Sequence, residues 1–213
     1  MTEVMQGIRI LEVAEHTFVP AAAAILADWG ADVIKIEHVE RGDAMRGLAS
    51  TGVVDLGAGK VHALLEHSNR GKRSLALDLK APAGREIASS LAARADVVIE
   101  GFRPGVAARL GLGYDELRTC NPGLLYVSVS GFGQEGPCAA LPCTDSVAQA
   151  FSGLMSVNLG NDGTPHRVGA IIVDTLTCLY AAQALGVALF MRASGAVRDS
   201  GSRSVLRSAR QRS

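Results

Sequence analysis

Short apolar runs rich in β-branched residues alternate with longer alanine- and leucine-rich stretches along this chain. Residues 7–13 (GIRILEV), 31–37 (ADVIKIE), 73–79 (RSLALDL), 96–100 (DVVIE) and 124–133 (LLYVSVSGFG) read as five strands. Helices are predicted over 20–30, 82–95, 145–157 and 174–192, with Pro20 and Pro82 near helix starts and Gly30 as a stop signal. Residues 103–123 break into two short helices. Residues 38–73 show no sustained period and are predicted to be a long connection, either functional or carrying short helices of its own, and 158–169 a polar loop. Strands alternating with helices predict an α/β fold, a Rossmann-like doubly wound and mainly parallel sheet.

At 213 residues and 48% hydrophobic, the chain suffices for one domain burying roughly 70% of its unfolded surface. Its 21 Lys+Arg balance 21 Asp+Glu, so no global field favours nucleic acid or an anionic membrane. The balance conceals an asymmetry. Between Ser194 and Ser213 stand five arginines (198, 203, 207, 210, 212) against Asp199, with few large apolar residues. A disordered terminus, a nucleic-acid or membrane contact, and a frame-shifted sequence all fit that tail. The N-terminus lacks the basic and apolar regions of a signal peptide. Cys120, Cys138, Cys143 and Cys178 match no common zinc spacing and read as reduced structural thiols of a cytoplasmic protein, with no metal site.

The turn after the first strand, EVAEHTFVPAAAA, contains no glycine, which disfavours the usual dinucleotide fingerprint. P-loop, H-E-x-x-H and G-x-S-x-G motifs are absent too. A doubly wound sheet still places a ligand crevice at its strands' carboxyl ends, lined by His16, Thr17, Glu37, His38 and Glu100 to Arg103. Basic groups at NRGKR (69–73), Lys80, Arg103 and Arg109 either hold a phosphorylated ligand or are merely solvated. Asp174 is the single charge in an otherwise apolar run, 168–191. It reads as the cap of the following helix, as a poised nucleophile or base, or as the flank of a short membrane span.

Several segments together are similar to the N-terminal half of the class III (CaiB/BaiF-type) CoA-transferases, which include formyl-CoA transferase and α-methylacyl-CoA racemase. They are GIRILEVAEHTFVPAAAAILADWGADVIKIE, NRGKRSLALDLK, the E-x-F-R-P-G turn at 100–105, NPGLLYVSVSGFG, and the stretch around Asp174. The resemblance covers about 7–192, so 1–192 is expected to be a truncated large-domain portion and 193–213 an extraneous tail. It implies transfer of CoA from an acyl-CoA to a carboxylic acid, with CoA thioesters as substrates and no permanently bound cofactor. It implies a homodimer for full-length members, and neither nucleic-acid nor membrane partners.

Asp174 matches the family's nucleophilic aspartate. His16, Thr17 and Phe18 match the loop along the pantetheine, Leu77 and Lys80 positions near the adenine, and Gly101, Phe102 and Arg109 the turn and the basic residue on the phosphates. His38 stands where some members carry Arg. The racemase branch needs a His before an Asp, and here Thr144 precedes Asp145. A hydroxyl cannot exchange protons at neutral pH as imidazole does, which favours transfer over racemization.

Overall fold

The computed structural model describes residues 3–48 and 61–195. Five strands, β1 (Arg9–Val13), β2 (Asp32–Glu37), β3 (Arg73–Ala76), β4 (Val97–Glu100) and β5 (Leu125–Ser128), form one sheet in the order β3-β2-β1-β4-β5. Every pairing is parallel. The helices are α1 (Phe18–Asp28), α2 (Ala63–Asn69), α3 (Pro82–Ala92), α4 (Val106–Arg109), α5 (Tyr114–Cys120), α6 (Asp145–Phe151), α7 (Leu154–Val157) and α8 (Ile172–Ala193). The expected doubly wound class is therefore observed.

Strand residues divide between the two faces by their alternation. Ile10, Val33, Val97, Ile99 and Val127 face a core completed by Ala21 to Ala23 and Leu26 of α1 and by Cys178, Ala182, Leu185 and Leu189 of α8. The alanines let α1 lie close against both the sheet and α8. Leu11, Val13, Ile36, Val98 and Tyr126 face the other core, with Ala88 and Ala92 of α3 and Leu117 of α5. Arg192, near the end of α8, pairs with Asp96 just before β4 at 3.1 Å. That contact ties the helix's C-terminal end to the amino edge of the sheet, so α8 runs back against the strands. Its N-terminal turn reaches the carboxyl edge.

Several boundaries differ from the sequence expectations, whereas the long connection does carry short helices of its own, a 3-10 turn (Ala44–Gly47) and α2, with 49–60 outside the described residues. The tail from 196 onward also lies outside them. The helix expected over 145–157 is broken into α6 and α7 at Gly153, whose φ of 80° no helix interior adopts. Helix α1 begins two residues before Pro20, which therefore occupies its first turn, where backbone N–H groups have no intrahelical acceptor. Among the described residues, α8 alone is long and apolar enough to cross a membrane by length and composition. One stripe of it packs on α1, whereas Leu179, Tyr180, Val187 and Phe190 are exposed.

Candidate active site

The order β3-β2-β1-β4-β5 reverses direction between β1 and β4, where loops leaving the two strands diverge and open a crevice. A cleft of about 200 Å³ occupies that position. Glu15, His16 and Phe18 line it after β1, Gly101, Phe102 and Arg103 after β4, and Ser130 and Gly131 after β5, with Ala139, Leu141 and Cys143 closing one side. Glycines let the backbone come close here. A Cβ on Gly131 would lie 2.0 Å from that of Cys143, and one on Gly101 would press on Val19 and Ala14.

Of the residues expected to bind a ligand, His16, Phe18, Gly101 and Phe102 line this cleft. Thr17 sits between two of them but is buried, its carbonyl accepting the Ala21 amide of α1. Four others are placed elsewhere. Leu77 is buried in the core on the α3 side of the sheet, because its position beyond β3 turns it inward. His38 is engaged in the turn after β2, where its Nδ1 accepts the Glu40 amide. Lys80 is exposed in the turn before α3, and Arg109 is exposed at the end of α4. Neither forms an ion pair with another described residue, and the same holds for Arg103.

The NRGKR segment is not a free cationic cluster. Arg70 pairs with Asp28 at 2.5 Å, Arg73 with Asp32 at 2.6 Å, and Lys72 with Glu12 at 2.5 Å. Arg70 and Arg73 decorate the surface beside α1 and β2. Lys72 is buried and also donates to the Pro20 carbonyl.

Alternation in β1 and β2 turns Glu12, Lys35 and Glu37 to the α1 face. There Lys35 Nζ sits 3.1 Å from Glu12 Oε1 and 2.5 Å from Asp43 Oδ2, and donates to Asn69 Oδ1. Burial lowers the proton affinity of Lys35, but the two neighbouring carboxylates outweigh it and leave its pKa raised. For Lys72 burial wins, and its pKa falls to about 8. Asp43 Oδ1 accepts the amides of both His16 and Met45, and Asp43 donates its own amide to Glu37. Sequence reasoning missed this cluster. The only hint was the charged residues interrupting otherwise apolar strands.

Asp174 stands in the first turn of α8, half-buried. It is not the cap of its own helix. That role falls to Asp145, the first residue of α6, whose Oδ1 accepts the amides of Val173 at 2.8 Å and Asp174 at 3.2 Å. Asp145 Oδ2 accepts from Gln149, which also bonds the Ala170 carbonyl and the Val168 amide. These two buried side chains thereby hold the chain entering α8. Burial raises the Asp174 pKa to about 6, the Asp145 charge adds to the rise, and His16 opposes it. Desolvation thus outweighs the stabilisation that a helix N-terminus gives a carboxylate, although the group remains largely ionised at neutral pH. Thr144 caps α6, accepting the Val147 amide at 3.4 Å.

The sequence profile of CoA-transferase family III matches residues 5–201. The chain belongs to that family. The succinate–glutarate CoA-transferase of Agrobacterium fabrum is 41% identical over 186 residues, which are 87% of this chain and 46% of that protein. The formyl-CoA:oxalate CoA-transferase of Streptomyces avermitilis is 37% identical over 90% of this chain and 45% of its own length. A solved CaiB/BaiF family protein from Brucella suis superposes with a TM-score of 0.81 at 36% identity, covering 92% of this chain and 51% of that one. This family III chain spans about half the length of the curated relatives it matches.

Proposed function

We propose that this chain carries the CoA-binding and nucleophile-bearing portion of a CoA-transferase that moves CoA from an acyl-CoA to a carboxylic acid. The reading rests above all on Asp174, a half-buried carboxylate in the first turn of α8. Its electrostatic neighbours His16 and Cys143 both line the cleft at the β1/β4 crossover. Its pKa of about 6 leaves it ionised at neutral pH yet incompletely solvated, a state suited to nucleophilic attack.

In the proposed cycle the Asp174 carboxylate adds to the thioester carbonyl and expels CoA as its thiolate, leaving a mixed anhydride. The thiolate attacks the aspartyl carbonyl, releasing the donor acid and leaving an aspartyl-CoA thioester. An acceptor carboxylate attacks that thioester and again expels the thiolate, which then takes the acceptor's acyl group and frees Asp174. No proton need be transferred, which fits a site where Thr144 is a helix cap rather than an imidazole. His16 and Phe18 would flank the pantetheine arm, Gly101 and Phe102 give it close backbone approach, and Arg103, Arg109 and Lys80 offer unpaired charge to the phosphates.

Intact-mass spectrometry after incubation with succinyl-CoA, oxalyl-CoA and acetyl-CoA tests this reading. With hydroxylamine present, a hydroxamate mapping to Asp174 is expected and should vanish in Asp174→Ala. An unmodified chain that still binds CoA would leave a binding module without transfer chemistry. A chain that does neither would sink the proposal.

A further inference from the structure

His16 is the single non-glycine residue with positive φ among the described residues, at 69°. Left-handed backbone is strained for any side chain and persists only where surrounding groups enforce it. Here the enforcing group is identifiable. The His16 amide donates to Asp43 Oδ1 at 3.0 Å across 27 residues of chain. Asp43 is fully buried, and its other oxygen is held by Lys35 at 2.5 Å. Lys35 is in turn fixed by Glu12 of β1 and Asn69 of α2, and the Asp43 amide is held by Glu37. Capping the 3-10 turn through the Met45 amide requires only one acceptor oxygen and none of the contacts to Lys35 or His16.

We propose that Asp43 is a positioning residue for the cleft: it locks residue 16 in the left-handed conformation and so sets where the imidazole stands at the carboxyl end of β1. The buried Glu12–Lys35–Asp43 cluster is then the foundation of one wall of the CoA site rather than a stability element alone. This inference rests on the CoA-binding reading above, and it deepens that reading by assigning the residue that shapes the wall.

The test compares CoA affinity by titration calorimetry and thermal stability for wild type, Asp43→Ser, His16→Gly and the double variant. Serine still caps the 3-10 turn but is too short to reach His16 and Lys35 together, and glycine adopts positive φ without help. Asp43→Ser is expected to weaken CoA binding about tenfold in the wild-type background and not at all in the His16→Gly background. Thermal stability should fall in both backgrounds alike. Equal loss of affinity in both backgrounds, or none in either, would overturn the proposal and leave Asp43 a structural residue.

A second measurement needs neither a folded variant nor CoA binding. In labelled wild-type protein, a scalar coupling across the hydrogen bond from the His16 amide nitrogen to Asp43 Cγ, with slow amide exchange, is expected. Absence of both overturns the positioning claim. If wild type shows the coupling but binds no CoA, the CoA-site assignment fails, while the lock on residue 16 stands.

Discussion

Asp145 accepts the backbone amides of Val173 and Asp174, so a carboxylate on α6 caps the helix that carries the candidate nucleophile. One side chain thereby performs two opposed tasks. It satisfies N–H groups that begin α8, and it puts a second negative charge near Asp174. The charge of Asp145 raises the Asp174 pKa, though less than burial does.

Replacing that charge while keeping the cap should separate the two tasks. In Asp145→Asn the remaining oxygen can still accept the α8 amides, but the like charge is gone. The Asp174 pKa is expected to fall below its wild-type value of about 6, without returning to an ordinary carboxylate value because burial persists. Carbon-13 titration of the Asp174 carboxyl would read the shift, and an unchanged or higher pKa would contradict this electrostatic account.

Asp174 itself should cost the fold stability at neutral pH. Its pKa rises from an ordinary 3.8 to about 6 on folding, so between those values the native state binds more protons than the unfolded one. Stability from this group is full below about pH 4 and is lost as pH rises through 6. Asp174→Asn is therefore expected to stabilise the chain at pH 7.5 by on the order of 1–2 kcal/mol, with little gain at pH 4. Urea unfolding at the two pH values checks this, and a pH-independent difference would show that titration is not the cause.

The buried pair of Lys72 and Glu12 should tolerate loss of both partners better than loss of one. Both side chains are almost wholly buried, and their charged atoms are 2.5 Å apart. Lys72→Met leaves Glu12 Oε2 without that counter-charge and is expected to cost about 3–5 kcal/mol. Adding Glu12→Gln should recover part of that loss. Denaturant titration of the single and double variants measures the coupling, and strict additivity would show the pair to be independent.

Close packing at Gly131 makes a sharp steric prediction. A Cβ there would fall 2.0 Å from the Cys143 Cβ, forcing the two loops apart at the cleft wall. Gly131→Ala should cost about 1–3 kcal/mol and weaken CoA binding by opening the wall. Gly123→Ala is the control, since its Cβ would meet nothing nearer than 4.0 Å. Equal behaviour of the two variants in melting and binding would refute the packing argument.

Much of this protein was legible before any coordinates. Apolar runs of period two, alternating with helical stretches, indicated five parallel strands, and the motif set from GIRILEV to the Asp174 region indicated the family. Those signals are local. A strand's alternation and a helix's start depend on neighbours a few residues apart, and a family motif is a linear pattern. His16, Gly101 and Phe102, expected at the strands' carboxyl edge of a doubly wound sheet, do line the cleft, and so does Phe18, which only the family resemblance pointed to.

Tertiary structure alone decided which charges meet. NRGKR looks like a phosphate grip in one dimension, but the strand order carries Lys72 beneath α1 to Glu12 and leaves Arg70 and Arg73 paired with Asp28 and Asp32. Asp174 looks like a cap in one dimension, yet Asp145, 29 residues away, holds its amide. Leu77 and Lys80 belong to one motif, but one faces the core and the other the solvent. The physical reason is common to all three. Electrostatic and hydrogen-bond partners are chosen by distance in space, and chain neighbours alone do not set that distance until strand order and helix packing bring remote segments together.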